Sequence, residues 1–443
     1  MNQTSLDNPT QRDNESLIVK LVAAFTGQFG TFLLALGTQI VIARTLGPTG
    51  KGMFSLTLLV ANIIVAFAHG SLSNANSHFI GRHPESRSAL VGNSFFLAFV
   101  WGAIVTLAAM KWGDDLCNRF VPDIDRHLFG MAMIAIIPLL LFEFSNGLVM
   151  GLNLMRRFSA TLILREGLVL GGVGSLAYFD IISVDTAVAV WVSASIIAAV
   201  VQGGSAWMRV GWGITVSPKL LKDMAVFSFQ SHAANLSTFL RLRFDMFLVA
   251  YFLSMTEVGY YSVAVGMIAV LWYIPTAIAQ VLIPHISERD DKAGDHLTPL
   301  LARLGFSVAL VGGTVLGGAG WWLIRFVFGE AFSPAYIPLL LLVPGGVIYS
   351  LGKVLAGDLL GRGLPQYAMI ISILSLIINI SANLFLIPLM GIAGAALSAS
   401  LTQAFSGLMF LYFFLKHSAS PIGDMFLLKK EDFTRLYQSL RRR

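Results

Sequence analysis

The feature that most constrains this chain is the recurrence, about twelve times, of apolar runs long enough to cross a bilayer. A helix rises about 1.5 Å per residue, so about 20 apolar residues span the roughly 30 Å hydrocarbon core. The predicted spans cover residues 21–43, 53–77, 88–110, 128–151, 160–178, 186–208, 225–252, 258–283, 301–323, 334–357, 366–387 and 390–415. Because a helix satisfies its own backbone hydrogen bonds in lipid, the sequence predicts an all-α polytopic membrane protein.

The composition agrees with a membrane protein and excludes several other classes. Hydrophobic residues make up 56% of the 443 residues and charged residues 12%, and the mean hydropathy is +0.75. These values exclude an ordinary soluble domain. Cys117 is the only cysteine, so neither an intrachain disulfide nor a cysteine-rich metal site is expected. The net charge of +6 is carried largely by short loops and the tail, so we expect no nucleic-acid partner.

The distribution of basic residues predicts the topology. Lys and Arg gather in the connections on the side that would hold both chain ends, so both termini are predicted to be cytoplasmic. We divide the chain into a cytoplasmic segment 1–20, an N-lobe 21–212, a C-lobe 213–415 and a basic tail 416–443. Residues 1–16 are polar, so no cleavable signal is expected. The tail is predicted either to rest on anionic membrane lipids or to be a disordered, solubilising end.

The two halves of the chain repeat one another. Residues match without gaps at a separation of 207 positions (259 − 52), and a second block matches at 206 (344 − 138). The matched pairs are Gly52 with Gly259, Ser55 with Ser262, His78 with His285, Arg82 with Arg289, Pro138 with Pro344, Gly151 with Gly357 and Arg156 with Arg362. The chain is therefore predicted to be a duplicated six-helix unit. Because six is even, both lobes have the same orientation, with a pseudo-two-fold axis along the membrane normal and a cleft between them.

Three charges interrupt the seventh span, in the stretch FLRLRFDMFL at residues 239–248. They are Arg241, Arg243 and Asp245. A charge at the bilayer centre costs about 2.5–3.5 kcal/mol on insertion scales, so such groups normally face a wet cavity or a bundle interior. We therefore predict a polar pathway along this helix. Alternatively, Arg241 and Asp245 lie one turn apart and neutralise each other, which leaves Arg243 on roughly the opposite face.

The repeat allows the three charged residues to be compared with their counterparts in the first half of the chain. Their counterparts in the first half are Leu34, Leu36 and Thr38. The six-helix unit is therefore expected to fold without any charge at this level. This comparison favours a functional role for Arg243.

Few other ionisable residues lie inside the spans. Glu143 and Lys353 fall in the inner halves of repeat-related helices, so they are predicted to pair across the cleft. Arg243 lies in the outer half, which argues against a bridge to Glu143. Asp358 lies near the cytoplasmic interface and is expected to be solvated.

Residues 43–55, with the sequence ARTLGPTGKGMFS, carry a family resemblance. They resemble the signature AR-x-LG-x-x-x-x-G-x-[FY]-[SA] between the first two spans of the polysaccharide transporter family. This family is the oligosaccharidyl-lipid flippase branch of the multidrug/oligosaccharidyl-lipid/polysaccharide exporter superfamily. Residues 255–262 resemble its second-half segment, although Ser254 and Met255 stand where Leu-Gly is usual. The likeness extends over essentially the whole chain.

The residues of this motif also have a physical interpretation. Its glycines and Pro48 suit a tight turn and close packing more than contact with a ligand. Arg44 either snorkels to the outer interface or guards the mouth of the cleft. The motif therefore indicates family membership and gives little information about the substrate.

The resemblance implies a flippase that works by alternating access. Such a protein moves an undecaprenyl-pyrophosphate-linked oligosaccharide to the outer leaflet of the bacterial inner membrane, for O-antigen, capsule or exopolysaccharide assembly. It is not an enzyme, needs no cofactor, and meets membrane lipids and other glycan-assembly proteins. A cation-coupled multidrug exporter of the same superfamily is the alternative, but the first span lacks the acidic residues that cationic drugs require. A membrane-embedded glycan polymerase is a weaker alternative, because no large outer loop is present.

For such a substrate, Arg243 is the leading candidate. A guanidinium binds phosphate oxygens through a bidentate fork, and Arg241 is a second candidate. Five uncharged polar residues are predicted either to bind sugar hydroxyls or only to join helices: Gln28, Gln39, Gln230, His232 and Asn235. The resemblance also implies coupling to protons or sodium, for which Glu143 and Asp245 are the candidate titrating groups. No metal site is predicted.

Overall fold

The fold is described from a computed structural model. It covers residues 9–82, 84–120, 125–211, 215–287, 294–418 and 420–426. Within these residues the α-helices are α1 (Pro9–Ala68), α2 (Leu72–Arg82), α3 (Arg87–Phe96), α4 (Gly102–Phe120), α5 (Arg126–Ile134), α6 (Ile136–Gly151), α7 (Met155–Tyr178), α8 (Val184–Val210), α9 (Pro218–Phe252), α10 (Met255–Ile268), α11 (Tyr273–Ser287), α12 (Gly294–Val327), α13 (Tyr336–Gly361), α14 (Pro365–Met390) and α15 (Ile392–His417). This part of the chain contains no β-strand.

The helices cross the membrane about twelve times, as predicted. Ten helical stretches among the described residues are long and apolar enough to span a bilayer. The first of these, Phe29–Ala68, holds two crossings, because α1 bends at Gly47 with φ 67° and ψ −174°. Glycine adopts this left-handed backbone without steric cost. Helix α9, which carries the three predicted charges, supplies the remaining crossing. The all-α, two-lobe fold class is therefore confirmed.

Each lobe contains six crossings. Helices α1–α8 form the N-lobe, in which α1 packs on α7 and α6 packs on α2 and α8. Helices α9–α15 form the C-lobe, in which α13 packs on α12 and α15 and α9 packs on α14. Small residues allow close packing: a Cβ added to Gly352 on α13 would lie 2.7 Å from the Cα of Gly407 on α15. Close backbone approach of this kind drives helix association in membranes.

The second crossing is broken, which the sequence did not predict. The predicted span ran unbroken over residues 53–77, whereas α1 ends at Ala68 and α2 begins at Leu72. Gly70 and Ser71 between them have φ values of 54° and 53°. This left-handed pair interrupts the helical hydrogen bonds and leaves polar backbone groups inside the molecule, where neighbouring side chains must satisfy them.

The expectation that Asp358 is solvated is wrong. Asp358 on α13 has 0% of its surface exposed. Its carboxylate accepts a hydrogen bond from Nε of Arg362 at 2.6 Å and another from Oγ1 of Thr298 at 2.6 Å. Nη1 of Arg362 also donates to the carbonyl oxygen of His417, 3.1 Å away. Because α12 extends inward past the predicted span, Thr298 covers the carboxylate, and the cluster joins α12, α13 and α15.

The structure describes only part of the predicted tail and of the predicted boundaries. The tail beyond residue 426, the segment 1–8 and the lobe boundary at residues 212–214 lie outside the described residues. Within the described part of the tail, Met425 is fully buried, and the ring centroid of Phe426 lies 5.5 Å from that of Phe306 on α12. The first residues after α15 therefore fold back against the C-lobe.

Candidate functional site

The candidate site is the seam between the lobes. On the N-lobe side it is formed by α1 and α2, and on the C-lobe side by α9, α10 and α11. The lobes touch at both ends of this seam, and Arg243 lies between the two ends. Under the predicted topology, the inner end is the one nearer the cytoplasm and the outer end is the one farther from it.

Arg243 lies in the middle of the seam. Its side chain is exposed, and its charge acts on the hydroxyl group of Tyr273 on α11. The ring of Tyr273 meets that of Phe32 on α1, with centroids 4.5 Å apart, so both lobes contribute here. Glu166 on α7 also acts electrostatically on the same hydroxyl group. Among the described residues, no carboxylate oxygen lies within salt-bridge distance of Arg243. This arrangement provides an accessible guanidinium between the lobes.

Arg241 points to the opposite side of α9, into the C-lobe. Only 5% of its surface is exposed. Its Nη2 donates to the hydroxyl oxygen of Tyr349 at 2.7 Å, and the centre of its guanidinium lies 4.8 Å from the Tyr349 ring centroid. Nζ of Lys353 lies 5.4 Å from the same ring centroid. Both cations therefore contact the same tyrosine. Arg241 makes a hydrogen bond and a cation-π interaction with it, and Lys353 makes a cation-π interaction.

Asp245 does not pair with Arg241. Its Oδ1 accepts a hydrogen bond from the backbone N–H of Met246 at 2.7 Å, and its Oδ2 accepts one from the Tyr261 hydroxyl at 2.5 Å. The alternative in which Arg241 and Asp245 neutralise each other is therefore not realised, because the two side chains do not pair in this conformation. Each of the two charges has a partner on a different helix of the C-lobe.

Removal of the Tyr261 hydroxyl is expected to destabilise the C-lobe. Tyr261→Phe leaves the buried carboxylate of Asp245 without one of its two hydrogen bonds, which costs about 1–3 kcal/mol. We expect a lower midpoint of thermal unfolding for purified Tyr261→Phe. Asp245→Asn combined with Tyr261→Phe should lose less stability than the sum of the two single changes, because the two groups interact. Additive losses would show that this hydrogen bond contributes little.

The predicted pair between Glu143 and Lys353 is absent. The charge of Glu143 interacts with that of Arg165 in the same lobe, and Lys353 packs on Tyr349. The reason lies in the packing of their helices. Glu143 is on α6, which packs on α2 and α8, and Lys353 is on α13, which packs on α12 and α15. The two side chains therefore do not meet across the cleft.

The inner end of the seam joins the broken second crossing to α9. Nδ2 of Asn235 donates to Oγ of Ser71 at 3.1 Å, and Nδ1 of His232 lies 3.5 Å from the same oxygen. The rings of His69 and His232 meet edge to face, with centroids 5.5 Å apart. His232 and Asn235, predicted as sugar ligands, thus lie together and contact the opposite lobe in this conformation.

The structure gives less information about the three glutamines that were predicted to bind sugar hydroxyls. Gln39 is half-buried and makes no hydrogen bond to another described residue. The side chains of Gln28 and Gln230 lie outside the described residues. The roles of all three in binding therefore remain predictions.

Sequence reasoning missed several residues of the seam. His69 and Ser71 were not singled out, although the dipeptide His69-Gly70 ends an apolar run and could have marked the break. Phe32 and Tyr273 gave no signal, because an aromatic residue in an apolar span is usually a packing residue. Tyr349 was missed for the same reason.

The outer end of the seam is formed by the motif at residues 43–55 and by its copy. Oγ1 of Thr49 lies 2.8 Å from Oγ1 of Thr256. Nε of Arg44 donates to the carbonyl oxygen of Val327 at 2.9 Å, and Nη2 donates to that of Phe326. Arg44 thus binds the outer end of α12 in the opposite lobe, so its position fits the mouth of the cleft rather than a lipid interface.

Comparison with known proteins gives a consistent result. The family model described as "Polysaccharide biosynthesis protein" matches residues 19–289, more than half of the chain. The chain is 23% identical over 241 residues to the "Probable low-salt glycan biosynthesis flippase Agl15" of Haloferax volcanii, covering 49% of each protein. It is 21% identical over 406 residues to the "Putative O-antigen transporter" of Shigella flexneri, covering 87% of this chain and 94% of that protein. The chain thus spans about half the length of the archaeal relative.

Solved structures share the fold. The structure titled "Lipid II flippase MurJ, inward closed conformation" superposes with a TM-score of 0.76 at 13% identity, over 91% of this chain and 89% of that one. An inward-facing multidrug resistance transporter of the MATE family superposes with a TM-score of 0.72 at 17% identity, over 87% and 94%. At these identities the likeness shows the two-lobe fold alone.

Proposed function

The chain belongs to the "Polysaccharide biosynthesis protein" family, and from that membership we propose that it is a flippase for a lipid-linked oligosaccharide. In this proposal the substrate is an undecaprenyl-pyrophosphate-linked glycan. The protein moves it from the cytoplasmic to the outer leaflet of the bacterial inner membrane, for O-antigen, capsule or exopolysaccharide assembly. Both termini lie in the cytoplasm, and the product passes to other glycan-assembly proteins.

The observation that carries this proposal is the accessible guanidinium of Arg243 between the lobes. A pyrophosphate crossing the membrane needs a counter-charge that is not already neutralised. Asp245, two residues away, is occupied by Tyr261 and by the backbone of Met246. Arg243 therefore keeps its charge available for phosphate oxygens, which a guanidinium binds through two parallel hydrogen bonds. The buried Arg241 and the half-buried Lys353 add positive charge to the same lobe.

The remaining candidate residues have supporting roles in this proposal. His232 and Asn235 bind sugar hydroxyls once the inner end of the seam has opened, and Gln28, Gln39 and Gln230 do the same along the cleft. Glu143 and Asp245 are the proposed groups for ion coupling. The electrostatic interaction of Glu143 with Arg165 supports the proposed role of Glu143 in ion coupling.

A multidrug exporter is the second candidate function. One observation favours it, namely the carboxylate of Glu166 on α7, whose charge acts on the same Tyr273 hydroxyl group as that of Arg243. A carboxylate there would attract a cationic drug. The excess of cations over carboxylates on the C-lobe side argues against this alternative, because it would repel such a molecule.

Deletion of the protein in its host separates these two functions. Under our proposal, lipid-linked glycan accumulates on the cytoplasmic leaflet, and surface glycan falls. Enzymatic labelling of the glycan in inside-out and right-side-out vesicles measures its distribution between the leaflets. Unchanged lipid intermediates together with altered drug sensitivity would instead support an exporter.

A further inference from the structure

The outer ends of the two lobes meet through two copies of one sequence element. The first copy, residues 44–52, connects the two crossings of α1, and the second, residues 251–259, connects α9 to α10. We propose that these two copies together form the outer gate of the cleft, which is closed in this conformation. The proposal rests on the alternating access of the proposed function and is independent of the transported molecule.

The two copies touch reciprocally at their glycines. A Cβ added to Gly52 would lie 1.9 Å from the carbonyl oxygen of Met255, and one added to Gly259 would lie 2.0 Å from the carbonyl oxygen of Pro48. Met255 is the repeat counterpart of Pro48, because 255 − 48 is 207, the same separation as between the glycines. Each glycine therefore receives the backbone of the other copy. Two protein backbones approach this closely only where a side chain is missing.

The two threonines mark the axis of this symmetry. Thr256 is the repeat counterpart of Thr49, and their Oγ1 atoms lie 2.8 Å apart. A residue that contacts its own repeat counterpart must lie on the pseudo-two-fold axis. The gate is therefore centred where the axis of the two lobes leaves the membrane. This is where an opening between the lobes would release a substrate outwards.

Arg44 adds a charged contact to the gate. Its guanidinium donates to the carbonyl oxygens of Phe326 and Val327 at the end of α12. The last carbonyl groups of a helix have no partner within the helix and attract cations. The counterpart of Arg44 is Tyr251, which carries no positive charge and has a single O–H donor. Arg44 thus stabilises the closed gate on one side. Its position is exposed, so water can replace these hydrogen bonds when the gate opens.

The nature of these contacts suits a gate better than a permanent joint. The three atoms nearest to a Cβ on Gly52, and the three nearest to one on Gly259, all belong to the opposite lobe. Glycine is therefore required at these positions only while the gate is closed. A tilt of one lobe against the other would separate the glycines, the threonines and Arg44 together, without changing the packing inside either lobe.

A disulfide across the axis tests the gate directly. Thr49→Cys and Thr256→Cys, in a chain with Cys117→Ser, place two sulfur atoms where oxygens now lie 2.8 Å apart, close to the geometry of a disulfide. A protease site inserted at residues 212–214 shows the disulfide as two fragments that separate only after reduction. We expect oxidation to lower glycan translocation in proteoliposomes by more than tenfold, and reduction to restore it.

A disulfide inside one lobe provides the matched control. Ser183→Cys and Thr186→Cys lie near the outer end of α8, where their oxygens are 3.3 Å apart. Oxidation of this pair should change translocation by less than twofold. Undiminished transport with the Thr49–Thr256 disulfide formed would overturn the proposal. Failure of that disulfide to form, while the control disulfide forms, would also overturn it.

A second measurement needs no substrate, so it separates the gate from the proposed function. Gly52→Ala should raise the labelling rate of Lys51→Cys, in a chain with Cys117→Ser, by a membrane-impermeant maleimide severalfold, because Lys51 is only 2% exposed while the gate is closed. Gly171→Ala on α7 is the control, since a Cβ there would meet no atom within 4 Å. Arg44→Ala should act like Gly52→Ala. Equal labelling in all variants would overturn the proposal even in a protein shown to flip glycan.

Discussion

Glycan translocation by Arg243→Ala is expected to fall about ten- to a hundredfold at unchanged protein level. A hydrogen bond to a charged group contributes about 1.5–3 kcal/mol, and 1.4 kcal/mol corresponds to a factor of ten. The loss should be large because no other exposed cation of the described residues lies beside the contact between Phe32 and Tyr273. The measurement is the rate at which lipid-linked glycan reaches the outer leaflet of proteoliposomes.

Two further variants show whether the charge or the shape of Arg243 matters. Arg243→Lys keeps the charge but loses the bidentate fork, so we expect an intermediate rate. Arg209→Ala removes an exposed arginine from the last turn of α8, away from the seam, and should leave the rate unchanged. If Arg243→Ala and Arg209→Ala translocate equally well, Arg243 has no part in substrate binding.

Asp358→Ala is expected to destabilise the protein by about 3–5 kcal/mol. The change removes the carboxylate whose oxygen lies 2.6 Å from Nε of the buried Arg362, and breaking a buried ion pair by removing one partner costs about this much. It also removes the hydrogen bond from Thr298 that joins α12 to α13. We expect a lower midpoint of thermal unfolding and less folded protein in the membrane, measured on detergent extracts by size-exclusion chromatography.

The pair between Arg325 and Glu330 provides the control for this prediction. Its glutamate side chain is 77% exposed, so Glu330→Ala should cost at most about 1 kcal/mol. Asp358→Leu combined with Arg362→Met should be more stable than Asp358→Ala alone, because no buried charge is left unpaired. Equal midpoints for Asp358→Ala and Glu330→Ala would show that burial does not strengthen the inner pair.

Local patterns predicted the broad architecture well. The length of the apolar runs indicated about twelve crossings, and the repeat indicated two lobes of equal orientation. The opposite directions of Arg241 and Arg243 also followed from helical periodicity, since residues two apart point to nearly opposite sides. Each of these features depends on residues close together in sequence or on a fixed repeat distance.

Partners at long range could not be predicted in the same way. Arg241 binds Tyr349, a residue 108 positions away, rather than the nearby Asp245. The pairing of Glu143 with Lys353 failed because their helices face the interior of their own lobes. The break at Gly70 and Ser71 was missed because its polar groups find partners that lie far away in sequence or that an apolar run does not mark. The N–H of Ser71 donates to Nδ1 of His69, and Nε1 of Trp101 donates to the carbonyl oxygen of Ala68.

The sequence by itself determined the all-α membrane fold, its duplication and its family, because bilayer thickness and helical period act on local patterns. Only the tertiary structure decided which side chains meet. It buried Asp358, left Arg243 accessible between the lobes, and brought the two copies of the motif together at their shared axis. A repeat distance shows that two segments are equivalent, whereas contact between them depends on how two whole lobes pack.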